Sequence, residues 1–265
     1  MRFCLSVPPF TDPAEVVSLA VRAEASGWDG FFLWDHLRWD DVVEAHDPWV
    51  LLGAIAQETS TIRLGTMVTP LSRRRPQVVA KHLTTLDHLS GGRVTFGVGL
   101  GDPPDLDFSD FGDEPSYATR AEITDEALVV LADLVGKGRV SHHGAHLDVD
   151  ASIRPLPLQR PRIPIWVAGR APNARPLARA KAWDGYVPIA SPSLSPGDLS
   201  SYVGPHPHDD WDLVAQWAPG FTAEEFAAAG ASWLVRSVWP NEEGWLGQLR
   251  DMVAGAPAAP APHGG

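Results

Sequence analysis

Asp35 and His36 place a carboxylate and an imidazole side by side, and this pair is the first feature of the sequence that could do chemistry. The pair follows four large apolar side chains, residues 31–34. A run that is apolar on both faces is typical of a strand covered on both sides, as in a parallel sheet flanked by helices. Two interpretations stay open from these residues alone. Either Asp35 caps the next segment while His36 binds a loop carbonyl, or the pair belongs to an acid–base site.

Alternating strand-like and helix-like segments must position this pair. Helix-like segments begin at recognisable caps, such as Asp12 before Pro13 and Asp47 before Pro48. Eight strands alternating with helices over about 250 residues predict an α/β fold, a (β/α)8 TIM barrel, rather than a doubly wound sheet. In a barrel the pair lies on the rim at the carboxyl ends of the strands, where such folds carry their chemistry. The predicted strands are 2–7, 30–34, 62–68, 93–99, 163–169, 185–189, 211–217 and 232–239.

Three segments depart from a regular barrel. The stretch "RVSHHGAHLDVD" (139–150) is an insertion between strands four and five, and its alternation around Gly144 predicts a surface hairpin. Residues 190–210 are rich in Pro, Gly and Ser, so we expect a reduced sixth β/α unit with a short or irregular helix. Residues 255–265 are mostly Ala, Pro and Gly and predict a disordered tail. The sequence therefore predicts a single barrel domain over residues 1–254.

Composition limits the partners and the compartment. The net charge of −12 would repel nucleic acid and anionic lipid, so we expect neither as a partner. The single cysteine, Cys4, excludes an intramolecular disulfide framework and fits a reducing compartment. The N-terminus has no signal-peptide pattern, and no apolar run reaches the length of a membrane span. We expect a cytoplasmic protein.

Histidine and aspartate clusters offer an alternative chemistry. A metal ion could be held by "SHHGAH" (141–146) with Asp148 and Asp150, or by "HPHDD" (206–210), which would indicate a metal-dependent barrel hydrolase. The first cluster lies in the predicted hairpin, and the second lies away from any predicted strand end. We therefore assign no metal ligand.

Three stretches together resemble the luciferase-like monooxygenase family: "GWDGFFLWDH" (27–36), "TSTIRLGTMVTPLSRRRPQVVAKHLTTLDHLSGGRVTFGVGLG" (59–101) and "IPIWVAGRAPNARPLARAKAWDGYVP" (163–188). The resemblance implies an oxidoreductase on a (β/α)8 scaffold that uses FMN or coenzyme F420. It would act on a small organic, apolar substrate by hydride transfer or oxygen insertion. A homodimer is also implied as a possibility. The alternative within this lineage is a flavin-binding protein without turnover.

The resemblance also assigns cofactor-binding residues. The loop after the fifth strand would cradle the cofactor phosphate, which selects Ala168, Gly169 and Arg170. Thr69 and Pro70 would pass along the ring at the end of the third strand.

Further cofactor contacts would come from glycines and a basic residue. Gly99 and Gly101, with Gly97, remove side chains along the fourth strand and would let a flat ring approach the backbone. Of three consecutive arginines, Arg75 matches the basic residue that the family keeps before a proline, whereas Arg73 and Arg74 are expected on the solvated surface.

The catalytic residues implied by the resemblance are His36, Asp35 and Asp102. His36 matches a histidine that F420-dependent relatives carry beside the reacting face of the ring. Asp35 would set its tautomer and pKa. Asp102 matches, in position only, an acidic residue near the substrate. Trp34 and Trp39 are candidates for the pocket wall, although a core position is favoured for Trp34. Some of the later tryptophans would line an apolar cavity, while most are core: Trp211, Trp217, Trp233, Trp239 and Trp245.

Overall fold

Eight parallel strands close into a barrel within the part of the chain that the computed structural model describes, residues 1–40, 42–241, 243–255 and 257. Each strand pairs with the next barrel strand in sequence, and the last pairs with the first. The predicted (β/α)8 barrel is confirmed. The strands are β1 (Arg2–Val7), β2 (Gly30–Leu33), β3 (Arg63–Pro70), β4 (Val94–Gly99), β7 (Ile165–Arg170), β8 (Gly185–Ile189), β9 (Asp212–Gln216) and β10 (Trp233–Arg236).

Helices follow the strands and surround the barrel. Their bounds are α1 (Pro13–Ala25), α2 (Pro48–Glu58), α3 (Pro76–Ser90), α4 (Tyr117–Lys137), α5 (Ala174–Ala180), α6 (Pro196–Val203), α7 (Ala223–Ala228) and α8 (Trp245–Ala254). The helix of the sixth unit, α6, is short, as expected, but it is regular and is capped by the Ser195 side chain. The predicted disordered tail lies outside the described residues except for positions 255 and 257. No helix in the described residues is both long and apolar enough to cross a bilayer.

Aspartate caps start the first two helices, as the sequence predicts. The Asp12 carboxylate accepts the Ala14 N–H at 2.8 Å, and Asp47 accepts the Trp49 N–H at 2.9 Å. In both helices a proline follows the cap, where its missing N–H costs no hydrogen bond. These caps fix where the chain turns back after each rim loop.

Large side chains fill the barrel interior, so the barrel is a packed core and not a pore. The Trp166 ring centroid lies 5.3 Å from those of Phe32 and Trp233, and all three side chains are buried. Cys4 is buried in the same apolar cluster. Any ligand must therefore bind at the rim.

The insertion between β4 and β7 contains an antiparallel hairpin of β5 (Arg139–His143) and β6 (Asp148–Ser152). Its turn is held against α4 by Glu126, whose carboxylate accepts the backbone N–H groups of Ala145 and Leu147 at 2.9 Å. Together with a hydrogen bond from His142, these N–H groups lower the pKa of Glu126 to about 2, although desolvation opposes the shift. The hairpin packs outside the barrel, on α4.

Candidate functional site

His36 lies on the rim, three residues after β2 ends at Leu33. Its Nδ1 atom is 2.7 Å from Oδ2 of Asp107, which lies in the loop between β4 and α4. Asp107 is fully buried and also accepts the backbone N–H of Leu37 at 2.8 Å. Because Nδ1 is engaged by this carboxylate, Nε2 is the ring nitrogen left for another partner.

Asp35 does not hold His36, which corrects the expected pairing. Consecutive side chains of an extended segment point to opposite sides, so these neighbours in sequence have different surroundings. The Asp35 carboxylate is completely buried and binds groups from α2 and from the end of β3. It accepts hydrogen bonds from Thr69 Oγ1 (2.7 Å), Trp49 Nε1 (3.2 Å), Arg73 Nη2 (3.0 Å) and Arg74 Nη2 (2.6 Å).

A buried ion network joins the two carboxylates, and we define it as Asp35, Arg73, Arg74 and Asp107. Arg73 bridges it, with Nη2 bound to Asp35 and Nη1 lying 3.2 Å from Asp107 Oδ2. Only 2% of the Arg73 side chain is exposed. The expectation that Arg73 and Arg74 lie on the solvated surface is therefore wrong, because both bind the buried Asp35. Arg75 is exposed at the start of α3, and its contact with the cofactor stays a prediction.

Both carboxylates of the network are held ionised. Burial alone would raise the pKa of Asp35, but the charge and hydrogen bond of Arg74, followed by Arg73 and Thr69, bring that pKa below its usual value. Burial opposes ionisation of Asp107 as well, and the hydrogen bond and charge of His36, with the charge of Arg73, lower its pKa. Asp107 therefore meets His36 as an anion that accepts the Nδ1–H hydrogen bond.

At Gly99 and Gly101, other residues of the protein occupy the space that a side chain would need. A Cβ atom on Gly99 would lie 2.6 Å from a methyl carbon of Val68, and one on Gly101 would lie 2.7 Å from the Phe108 ring. The crowding arises where the register of β3 shifts against β4; the Met67–Val68 peptide bond in this stretch is cis. These contacts give the two glycines a packing reason, and their predicted contact with a flat ring stays a prediction.

The residues at the end of β3 also contact other parts of the protein. Thr69 is fully buried, and its hydroxyl donates to Asp35. Pro70 is buried as well. Val68, in contrast, is partly exposed and packs on the apolar cluster of the barrel interior. At this strand the surface left for a ligand is apolar.

Ala168, Gly169 and Arg170 are the last residues of β7, so the strand runs to the end of the predicted phosphate loop. A Cβ atom on Gly169 would meet Pro176 of α5 at 2.1 Å, which requires glycine there. The Arg170 side chain is 70% exposed and forms an ion pair with Asp102. This pair raises the pKa of Arg170, so the guanidinium stays charged on the rim.

Asp102 binds Arg170 and the Tyr117 hydroxyl. Its side chain is 45% exposed. The carboxylate that contacts the histidine is Asp107, five positions further along the same loop. Asp102 thus links β4 to β7 across the rim.

Two tyrosines support the loop after β7. The hydroxyl groups of Tyr186 and Tyr202 are 2.8 Å apart, and Tyr202 donates to the Asn173 carbonyl at 2.7 Å. Desolvation, followed by the contact with Tyr202, raises the pKa of Tyr186 far above its ordinary value. Tyr202 belongs to α6, so the reduced sixth unit still braces this loop.

Three aromatic side chains lie against His36, and a fourth, Trp239, packs on two of them. We call the four the aromatic wall: Phe10, Trp34, Trp39 and Trp239. The His36 ring centroid lies 5.2 Å from that of Trp39 and 6.0 Å from that of Trp34. Trp34 is fixed by a 2.8 Å hydrogen bond from its Nε1 to Ser6 Oγ. Of the later tryptophans, Trp239 reaches this rim, where it is 44% exposed, whereas others such as Trp211 are core.

The histidines of the insertion are held in separate pairs with acidic side chains. His142 pairs with Glu126, His143 with Asp148, and His146 with Glu122. Among the described residues, no three His, Cys, Asp or Glu side chains come together in a way that could hold a metal ion.

Asp107 is the site residue that sequence reasoning missed. The loop "GDPPDLDFSD" contains four aspartates, at positions 102, 105, 107 and 110, and no pattern separates one from another. The only signal is the apolar neighbour Phe108, which is buried between Arg73 and Arg120, with guanidinium carbons 5.7 and 3.9 Å from its ring centroid. Phe108 anchors the loop and carries Asp107 inward.

Comparisons with known proteins identify relatives in sequence and in fold. The model of the luciferase-like monooxygenase family matches residues 1–195. The F420-dependent glucose-6-phosphate dehydrogenase of Segniliparus rotundus is 33% identical over 181 residues, covering 66% of this chain and 53% of that protein. The enzyme of the same name from Beutenbergia cavernae is 36% identical over 186 residues, covering 66% and 52%. The chain thus spans about half the length of the curated relatives it matches.

Solved structures share the fold. The coenzyme F420 dependent tetrahydromethanopterin reductase from Methanopyrus kandleri superposes with a TM-score of 0.74 at 17% identity, covering 95% of this chain and 97% of that one. An F420-dependent secondary alcohol dehydrogenase has a TM-score of 0.69 at 23% identity, covering 81% and 68%.

Proposed function

The chain belongs to the luciferase-like monooxygenase family, and on that premise we propose that it is an oxidoreductase that uses coenzyme F420 to exchange a hydride with a small organic substrate. The observation that carries the proposal is the His36–Asp107 pair on the rim, 2.7 Å apart. Hydride transfer to or from an alcohol or carbonyl carbon needs a group that moves a proton at the adjoining oxygen, and an oriented imidazole is suited to this.

The rim residues fit a flat ring with an anionic tail. Val68, at the end of β3, is partly exposed and packs on the apolar cluster that includes the buried Ala168, and an apolar floor of this kind suits a planar ring. Arg170 supplies an exposed positive charge for the tail at the end of β7. An anionic tail would compete with Asp102 for the Arg170 guanidinium, so Asp102 would lower the affinity for the cofactor.

When bound, F420 supplies a hydride carrier with little oxygen chemistry, whereas reduced FMN would supply oxygen insertion instead. The chain's own part is to hold the substrate oxygen at Nε2 of His36. Asp107 fixes the imidazole by accepting the Nδ1–H hydrogen bond, and Arg73 keeps Asp107 in place. The aromatic wall keeps water away from one side of His36.

Titration of the purified chain with F420 and with FMN, followed by absorbance and by mass spectrometry of the native complex, tests the proposal. We expect F420 to bind and its reduced and oxidised forms to interconvert with an alcohol–ketone pair. If the chain bound FMN but not F420 and consumed oxygen, the proposed reaction would be oxygen insertion and not hydride exchange. Binding of neither cofactor would refute the proposal.

Replacing Asp107 with Asn is expected to lower turnover by about 10- to 100-fold, because the group that orients a histidine typically has an effect of this size. The amide can no longer accept as an anion, so the His36 ring loses its fixed tautomer. Nitrogen-15 NMR of the imidazole reports this directly in the cofactor-free chain. If the His36 signals of D107N matched those of the parent chain, Asp107 would have no positioning role.

Replacing Arg170 with Glu is expected to weaken cofactor binding by at least about tenfold, because an ion pair with the anionic tail is exchanged for repulsion. Asp102→Asn is the matched variant: it releases Arg170 and should strengthen binding. Both are measured as dissociation constants by fluorescence titration of F420. If the parent chain, Arg170→Glu and Asp102→Asn bound F420 with equal affinity, Arg170 would not contact the cofactor.

A further inference from the structure

The aromatic wall and the charges around it indicate a substrate class. Resting on the proposed function, we propose that this site takes an uncharged substrate with an aromatic ring, and that Trp39 and Trp239 select it. In this proposal the substrate differs from the doubly charged sugar phosphate, glucose 6-phosphate, in the names of the relatives.

The wall has the geometry of a ring-binding surface with an open side. The Trp34 centroid lies 5.6 Å from that of Trp39 and 5.2 Å from that of Trp239, with interplanar angles of 49° and 64°. Trp34 and Phe10 are buried behind, while Trp239 is 44% exposed. Tilted and edge-to-face contacts of this kind leave ring faces and edges for a further aromatic ring.

The wall also brings such a ring beside the proton-transfer group. The His36 centroid lies within 6.2 Å of those of Phe10, Trp34 and Trp39. A substrate ring stacked on the wall would therefore hold an alcohol or carbonyl substituent near Nε2 of His36. The same contacts position and recognise the substrate.

The cations near His36 are already neutralised by carboxylates. Arg38 forms an ion pair with Asp110, and Arg73 and Arg74 bind Asp35. A phosphate dianion is recognised by Arg or Lys groups that can donate to it. Recruiting Arg73 or Arg74 would take away part of the positive charge that compensates Asp35, whose carboxylate is completely buried.

The C-terminal part of the chain adds negative charge. Residues 190–265 contain two arginines and no lysine against nine aspartates and glutamates. One of the two, Arg250, forms an ion pair with Glu15, and the other, Arg236, is buried beside the rings of Trp217 and Trp28. A net negative charge in this part of the chain contributes to a field that disfavours an anionic substrate.

Saturation-transfer NMR with three probes tests the inference: benzyl alcohol, its non-aromatic counterpart cyclohexylmethanol, and glucose 6-phosphate. Each is titrated into the chain with and without F420, and into Trp239→Ala and Trp39→Ala. The control is Trp183→Ala, because Trp183 lies under Arg162 just before β8, at the amino end of the barrel.

We expect benzyl alcohol to bind several-fold more tightly than cyclohexylmethanol, and Trp239→Ala to weaken it by about 3- to 10-fold, the range expected for loss of one aromatic contact. Trp183→Ala should leave its affinity unchanged. Binding of glucose 6-phosphate as tight as that of benzyl alcohol, or equal affinity in Trp239→Ala, would overturn the inference. Because the probes are also measured without F420, failure of the proposed cofactor assignment would appear separately.

Discussion

Replacing His36 with Ala is expected to lower turnover by about 10²- to 10⁴-fold, the usual effect of removing a general acid or base. Cofactor affinity should change little, because the residues proposed to hold the tail lie on β7, on another part of the rim. The loss follows from removing the only group of the His36–Asp107 pair that can reach a substrate oxygen. Steady-state rates and the cofactor dissociation constant separate the two effects.

His143→Ala is a matched control for this prediction. Its Nδ1 lies 2.6 Å from Asp148 Oδ1, so it is also an aspartate-paired histidine, but it is exposed on the hairpin. We expect its turnover to equal that of the parent chain. A His36→Ala protein with an undiminished rate would exclude His36 from the mechanism and leave the pair as a structural contact.

Replacing Asp35 with Ala is expected to lower the free energy of unfolding by about 3–5 kcal/mol, because removing one partner of a buried ion pair leaves the other charge uncompensated. Here Arg73, which is 2% exposed, would keep Asp107 at 3.2 Å, and Arg74, which is 19% exposed, would keep Asp47 at 3.8 Å, so each arginine loses its contact with the buried carboxylate. Urea denaturation followed by tryptophan fluorescence measures the change.

The control for Asp35 is Asp110→Ala, which removes a partly exposed pair with Arg38. Exposed pairs contribute about 0–1 kcal/mol, so this variant should unfold near the parent midpoint. Equal destabilisation by the two substitutions would mean that the buried ion network has no special role in stability.

The same network sets the direction of the pH dependence. The pKa of Asp35 is lower in the folded chain than its ordinary value of about 4. Its contribution to stability is therefore fully present above about pH 4 and is lost as the pH falls through the lowered folded value. Asp107 behaves in the same direction. The Asp35→Ala protein should lose less stability than the parent chain between pH 5 and pH 2.

Strand positions were predictable because they depend on local pattern. Each predicted barrel strand lies within about two residues of the observed one at either end, except β10, which ends at Arg236 and not at 239. The helix caps at Asp12 and Asp47 were equally local. Residue contacts within the site were not predictable in this way, because the partners come from different loops.

The failures at the site share one cause. Asp35 and His36 are adjacent in sequence, yet His36 pairs with a residue 71 positions away and Asp35 with arginines 38 and 39 positions away. Composition also misled the interpretation of the arginines, since three in a row are usually solvated, while two of these are drawn inward by Asp35. Likewise, the sequence did not show that a side chain at Gly99 or Gly101 would meet Val68 or Phe108, because these neighbours belong to other segments.

The sequence alone determined the alternation of apolar strands and capped helices, and with it the barrel and the rim that carries His36, because hydrophobic period and capping act over a few residues. Only the tertiary structure decided which carboxylate holds that histidine, which arginines are buried, and which tryptophan reaches the rim. Those choices depend on barrel closure, which brings the loops after β2, β3, β4 and β10 within hydrogen-bond and ring-contact distance.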